Sequence, residues 1–374
     1  MNRLRGLYLH VPFCSVKCFY CDFTAFAGQR ASVKRYLEAM RGEALARPRL
    51  PIDTLYVGGG TPSELSVDEL GELLRIVESC YRRIRDLLES TVEANPESLT
   101  TDKLELLARK GVSRISIGLQ TLEPRLLKEI GRRHTVEEFF RAYSAAKALG
   151  FSLNVDLMSG LPTQTFDEAV SSLTRLINLE PDHISLYGLS VEDRTLFAKR
   201  GVYVDEDLDR AIFERSLELL AAAGYEHYEI SNFAKPRKRS RHNQIYWTNG
   251  EYIGLGCGAS GYLDGVRYAN KDRLGDYCSA VEAGWLPQET SERLESKERL
   301  GEIILLGLRR MEGMELTPEM DSMFSRELAC IGRQGWVERN GSRVRLTDEG
   351  VFLANKVFEE FVAPFGEGAE EVNL

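Results

Sequence analysis

No stretch of this 374-residue chain approaches the ~18 consecutive apolar residues of a membrane-spanning helix. Positive charge is in deficit too: 48 Lys and Arg stand against 57 Asp and Glu, a net −9. A chain whose main task is gripping nucleic acid is more often basic. The seven cysteines are an odd number, which excludes a fully paired disulfide framework. The start, MNRLRGLYLHVPFC, has a basic end, but His10 and Pro12 cut its apolar stretch short, so no secretory signal is read there. No repeat of fixed period marks a solenoid. The expected compartment is the cytoplasm, where a tight cysteine cluster is usually metal-binding or catalytic.

What is present is the balance of a globular chain, 43% hydrophobic and 28% charged. Six apolar β-type runs alternate with amphipathic helical stretches up to about residue 190. The runs are Leu7–Pro12, Thr54–Gly58, Ser90–Asn95, Arg114–Gln120, Ser152–Met158 and His183–Leu189. The helices are expected at Val33–Ala46, Val67–Arg83, Thr101–Lys110 and Val136–Leu149, with Gly111 and Gly150 as stops. Such alternation implies a parallel sheet.

The strands carry a second signal. A parallel strand buried on both faces should be apolar throughout. Here Tyr8 and His10 oppose Leu7, Leu9 and Val11; Glu93 and Asn95 oppose Val92 and Ala94; Asn154 and Asp156 oppose Val155 and Leu157. One polar face per strand predicts a curved sheet with helices outside and a polar lumen: an α/β fold, a partial (β/α)6 TIM-like barrel.

After residue 191 the pattern changes. Val204–Gly224 predicts a helix, Tyr225–Asn270 reads as irregular, and residues 271–374 read as mainly helical. Helix Ser322–Gln334, a hairpin turning at Asn340-Gly341 and a last helix Thr347–Phe361 form a winged-helix-like module. The acidic tail Gly366–Leu374 is expected to fray. The domains expected are a barrel over residues 1–230, a connecting segment over 231–270 and the C-terminal unit over 271–374.

Cys14-Ser-Val-Lys-Cys18-Phe-Tyr-Cys21 follows the first strand directly. Thiolates at this spacing can converge from one loop on a soft metal site. Structural zinc takes four protein ligands, and residues 22–30 supply no fourth Cys or His. A 4Fe-4S cluster takes three cysteines and leaves one iron open, so the pattern favours the cluster.

CxxxCxxC after a barrel strand, with an aromatic before the last Cys, resembles the radical S-adenosylmethionine (SAM) superfamily. That resemblance implies SAM chelating the open iron and a reduced cluster cleaving it to a 5′-deoxyadenosyl radical. Further segments resemble the coproporphyrinogen III dehydrogenase-like group: Tyr8-Leu-His-Val-Pro-Phe-Cys, Gly-Gly-Gly-Thr-Pro-Ser, Val-Glu-Ala-Asn-Pro-Glu, Ser-Ile-Gly-Leu-Gln-Thr, Gly-Arg-Arg-His134 and Asp156-Leu-Met-Ser-Gly-Leu-Pro. By that resemblance Tyr8, Gly59, Gly60, Thr61, Glu93, Gln120, Arg132, Asp156 and Gly188 line the SAM site, with Ser260 a further contact. Taken singly, each is equally readable as a satisfied barrel polar group or a tight turn.

Within the group, the dehydrogenase typically carries CxxxCxxCxC and an N-terminal extension. Here Asp22 and Phe23 follow Cys21, and thirteen residues precede Cys14. The haem-chaperone branch has Cys-Asp-Phe, Tyr-Glu-Ile-Ser-Asn-Phe-Ala and His-Asn-x-x-Tyr-Trp, which this chain resembles at Tyr228–Ala234 and His242–Trp247. One departure is Ser240, where a Cys is common.

Arg241, His242, Tyr246 and Trp247 are the haem-binding candidates. Histidine ligates haem iron, arginine forks suit propionates, and the two rings offer flat apolar surface. A solvated basic loop and a hydrogen-bonded histidine are the plainer readings. The resemblance implies haem binding and delivery to apoproteins such as respiratory membrane enzymes, with a low-potential electron donor as a second partner. Alternatives are a radical SAM enzyme acting on a tetrapyrrole, a radical SAM methyltransferase, and a nucleic-acid-binding winged helix.

Overall fold

The computed structural model describes residues 4–363 and 365. Six strands pair in chain order, all parallel: β1 (Gly6–Val11), β2 (Thr54–Gly59), β3 (Glu89–Ala94), β4 (Arg114–Gln120), β5 (Ser152–Ser159) and β6 (His183–Gly188). Between them run α1 (Val33–Ala46), α2 (Val67–Cys80), α3 (Thr101–Lys110), α4 (Pro124–Glu129), α5 (Val136–Ala148) and α6 (Phe166–Ile177); α7 (Glu206–Ala222) follows β6. Reciprocal caps fix three helix starts, Ser66 with Glu69, Thr135 with Glu138 and Thr165 with Glu168. Gly111 stops α3 in the left-handed conformation, φ 84°.

The apolar strand faces bury Leu7, Leu9, Leu55, Val57, Ile115 and Ile117 against the helices in one core. The opposite faces converge. Tyr56, Glu93, Ser116, Asp156 and Ser185, from five successive strands, line one narrow internal space of about 50 Å³. A flat sheet could not bring those side chains together, so this sheet curves into the expected partial barrel.

The sheet is wider than the sequence suggests and holds twelve strands. Beyond β6 lie β7 (Glu226–Glu229) and β8 (Asn232–Ala234), antiparallel. On the other side of β1, β9 (Tyr252–Leu255) pairs parallel, and β10 (Ser260–Leu263), β11 (Val266–Asn270) and β12 (Gln288–Arg293) continue antiparallel. Much of Tyr225–Asn270 is thus sheet rather than irregular chain. These strands are short, and two of them, β9 and β10, contain a glycine, so their neighbours in the sheet, not local propensity, hold them extended. A Cβ at Gly254 would run into the Ser260 backbone, so glycine there permits the tight return of β10 along β9.

Residues 231–270 supply β8 to β11 and α8 (Arg241–Trp247), and β12 places sheet beyond residue 271. Then come α9 (Leu274–Glu282) and α10 (Ser296–Leu308). A second core gathers Leu300, Ile304, Phe324, Val344, Val357 and Phe361. The hairpin pairs Asn340 with Arg343, and Gly341 takes φ 62° in its turn. The helix expected at Ser322–Gln334 is split at Phe324 into Pro318–Met323 and Ser325–Arg333. That ring is fully buried 5.4 Å from Phe361, and its packing overrides the local helical pattern. The last helix is likewise two pieces, Asp348–Phe352 and Ala354–Glu359. The tail Gly366–Leu374 lies outside the described residues. Ile230 N donating to Arg309 O and Met311 N to Tyr228 O join the two units. Among the described residues, no helix is long and apolar enough to cross a membrane.

Candidate functional site

The cysteine loop leaves β1 through Phe13–Cys14, a two-residue strand paired with Phe26–Ala27. Cys21 N donates to Cys18 O at 3.2 Å, closing a tight turn. Phe19 N donates to Ile130 O at 3.1 Å, and Phe197 N to Phe19 O at 3.0 Å, so the loop is stitched to two helix ends. All three thiols are free and half-buried. Burial pushes the Cys14 thiol up to about 11, against a Thr61 hydrogen bond, and raises Cys21 as well. Among the described residues, no three His, Cys, Asp or Glu side chains are gathered to hold a metal ion. The donor chemistry suits an iron–sulfur cluster, but the thiols are not preassembled. Binding one would draw them together and displace their protons.

The glycine run after β2 hugs the end of β1. Gly60 N donates to Val11 O at 2.8 Å and Thr61 N to Phe13 O at 2.9 Å. A Cβ at Gly60 would lie 2.8 Å from that Val11 oxygen. Thr61 Oγ1 lies 3.4 Å from Cys14 Sγ and accepts from Asn95 Nδ2 at 3.2 Å. Arg132 continues this chain: Nη1 donates to Asn95 Oδ1 at 2.8 Å and Nη2 to Gly118 O at 3.0 Å. Its Nε is buried without a partner. Burial opposes the guanidinium charge, but Tyr20, Cys18, Glu97 and Asp156 around it hold it firmly protonated. A buried cation with an unused N–H beside the cysteine loop is equipped to take a carboxylate. Gln120 is buried nearby, at a bulge in β4 and with φ 71°.

Glu93 and Asp156 face the narrow internal space rather than an open cavity. Glu93 accepts from Tyr56 Oη at 2.7 Å and Gly59 N at 3.1 Å. Burial pushes its carboxyl up to about 7 against those hydrogen bonds, with Asp156 adding repulsion. Asp156 accepts from Asn154 Nδ2 at 2.7 Å and Ser116 Oγ at 3.4 Å. Gly188 ends β6 beside Ser159, and a Cβ on it would meet Asp209 Oδ2 at 2.9 Å.

A wider cavity, about 580 Å³, opens between β1, β9, α8 and α10. It brings together the expected Tyr8, Tyr246, Trp247 and Ser260. Other lining residues, among them Phe23, Arg194, Tyr252, Arg267 and Leu306, are not among the site residues expected from the sequence. Their sequence positions, scattered over almost three hundred residues, carry no common signal beyond Phe23 in Cys-Asp-Phe. Tyr8 Oη donates to His10 Nδ1 at 2.9 Å, and His10 Nε2 donates to Thr24 O at 2.7 Å. Arg267 is ion-paired with Glu302. The Arg309 guanidinium stacks 4.4 Å over the Trp247 ring. The volume lies within the range of about 300–1,000 Å³ usual for small-molecule sites.

The Radical SAM superfamily model matches residues 8–176. The heme chaperone HemW of Bacillus subtilis is 34% identical over 376 residues, 96% of this chain and 99% of that protein. The heme chaperone HemW of Lactococcus lactis is 36% identical, over 97% of this chain and 98% of its own length. The chain belongs to the HemW family. The HemW relatives align well past residue 176, through the part of the chain that supplies Tyr246, Trp247, Arg267 and Leu306. Coproporphyrinogen III oxidase (HemN) from Escherichia coli shares the fold, with a TM-score of 0.86 and 21% identity over 97% of this chain and 91% of that one.

In this HemW-family chain, His242 does not present a nitrogen to an incoming iron as expected. The ring is fully buried at the N-terminal ends of β1 to β3. Its Nδ1 lies 2.8 Å from Thr54 Oγ1 and its Nε2 2.7 Å from Tyr246 Oη. Its backbone N donates to Glu89 Oε1 at 2.9 Å, while Arg241 N takes the other oxygen at 3.0 Å. Burial lowers the imidazole to about 3, so the ring is neutral. The motif therefore reads as an internal brace that sets Tyr246 and Trp247 in the cavity wall. In the adjoining basic run, Lys238 is ion-paired with Asp182 and Arg239 with Glu226 and Glu312, and Lys235 Nζ donates to Ala223 O. Arg241 is exposed.

Proposed function

We propose that this chain is a haem chaperone of the radical SAM type. It holds haem in the 580 Å³ cavity, binds a 4Fe-4S cluster and SAM at the barrel mouth, and passes haem to apoproteins in the cytoplasm. The observation that carries this reading is the likeness to heme chaperones HemW over almost the whole length of both chains. The cavity supports it physically: Tyr8, Tyr246, Trp247 and Tyr252 offer flat apolar walls for a macrocycle, and Arg194 and Arg267 offer cations for its carboxylates.

Cys14, Cys18 and Cys21 are the cluster ligands in this reading. When bound, the cluster supplies one-electron reduction of SAM. The buried Arg132, with its free Nε, takes the SAM carboxylate. Gly59, Gly60 and Thr61 let the ligand approach the backbone, and Tyr8, Glu93, Gln120, Asp156, Gly188 and Ser260 complete the cradle. Respiratory membrane enzymes are the proposed recipients, with a low-potential carrier as electron source.

The nucleic-acid reading loses its footing on the hairpin, where Arg339, Arg343 and Arg345 are paired with Asp321, Glu315 and Glu338. Porphyrinogen oxidation is disfavoured because Phe23 stands where the dehydrogenase has its fourth cysteine. The deciding experiment is anaerobic reconstitution followed by parallel haem titration and coproporphyrinogen turnover. Defined haem absorbance without turnover is the expected result. Turnover with SAM and no haem binding would overturn the proposal.

A further inference from the structure

We propose that Arg194 anchors a carboxylate of the macrocycle held in the 580 Å³ cavity; this rests on the haem reading above. Arg194 lies in none of the motifs that mark the cluster, the SAM cradle or the haem segment. It sits on the loop after β6, one residue before the cap of helix Leu196–Lys199. That loop is firmly built. Thr195 N and Oγ1 both donate to Glu192 O, at 2.9 and 2.7 Å, and Thr195 Oγ1 accepts from Ala198 N at 3.2 Å. The helix is in turn tied to the cysteine loop through Phe197 N and Phe19 O. The Arg194 backbone is therefore held at a fixed place on the cavity rim.

Its side chain differs from the other cation of the cavity. Arg267 is ion-paired with Glu302 and donates to Asn249 Oδ1. Arg194 makes no ion pair among the described residues, although Asp22 lines the same cavity and Asp193 is its neighbour. The fork of a guanidinium matches a carboxylate with two parallel hydrogen bonds. Aromatic walls with one unpaired guanidinium at the rim suit a flat apolar ligand that carries anionic groups on its edge. A carboxylate also occurs on the methionyl end of SAM. Arg132, buried beside the cysteine loop, is the better placed partner for that one.

The test compares haem with its dimethyl ester, which keeps the ring and iron but lacks both charges. Wild type, Arg194→Ala and Arg194→Lys are titrated with each, and SAM binding is measured in parallel. Wild type should bind haem about tenfold tighter than the ester. Arg194→Ala should lose about that factor for haem and none for the ester, and Arg194→Lys should recover part of it. Unchanged SAM affinity in both variants is also expected. Equal haem affinity in wild type and Arg194→Ala overturns the proposal, as does a loss confined to SAM. Wild type that binds neither haem nor ester refutes the haem reading itself, a result distinguishable from both.

Discussion

Thr61 Oγ1 stands 3.4 Å from Cys14 Sγ while accepting from Asn95 Nδ2, so one hydroxyl couples the cysteine loop to the end of β3. Asn95 in turn accepts from Arg132, which places the cluster loop, the glycine run and the buried guanidinium in one hydrogen-bonded chain. Thr61→Val keeps the shape and removes the hydroxyl. It should cost about 1–3 kcal/mol in denaturant unfolding, because the half-buried Asn95 amide is left short of an acceptor. Slower and less complete cluster uptake, followed by visible absorbance, should accompany it. Uptake at the wild-type rate would show that the link is incidental.

His242 braces three elements at once, through Thr54, Tyr246 and the Glu89 carboxylate. His242→Ala should lower stability by about 2–4 kcal/mol, since it opens a cavity and strands two hydroxyls. With neither ring nitrogen free, the iron-ligand signature in the haem spectrum should persist in folded variant protein. Loss of that signature at full folding would show that the ring turns outward to bind iron.

Glu93 gives the barrel a pH dependence. Its carboxyl titrates at about 7 in the folded chain against an ordinary 4.5, because burial disfavours the charge. Between those values the folded state keeps a proton that the unfolded state has released. Stability from this group therefore falls as pH rises from 4.5 to 7, and the loss is complete above 7. Glu93→Gln cannot titrate, so its melting temperature relative to wild type should be higher above pH 7 than below 4.5. Parallel melting curves for the two proteins across that interval would refute the assignment.

Gly59 adopts φ 108°, and a Cβ there would lie 2.5 Å from His10 Cε1. Gly59→Ala should cost about 1–3 kcal/mol from backbone strain alone, with more from displacing the His10 ring. SAM affinity, measured calorimetrically, should drop with it because Gly59 N also positions Glu93. Wild-type affinity in the variant would remove Gly59 from the cradle.

The strand-and-helix order was legible because each signal is local. Helices Val33–Ala46 and Thr101–Lys110 and strand Arg114–Gln120 have the bounds that periodicity and caps indicate. The split polar and apolar strand faces were enough to imply a lumen, and Glu93 and Asp156 do point into it. β9 was not legible: Tyr-Ile-Gly-Leu is too short to declare itself, and only pairing with β1 makes it a strand.

By itself, the sequence determined the alternating α/β order, the three-cysteine spacing and the motifs that mark the family, because all of these are short-range patterns. Tertiary structure decided which residues share a site. It buried both nitrogens of His242 and gathered Phe23, Arg194, Arg267 and Leu306 around one cavity. Spacing in the chain does not encode which atoms hydrogen-bond across a curved sheet; packing and burial settle that.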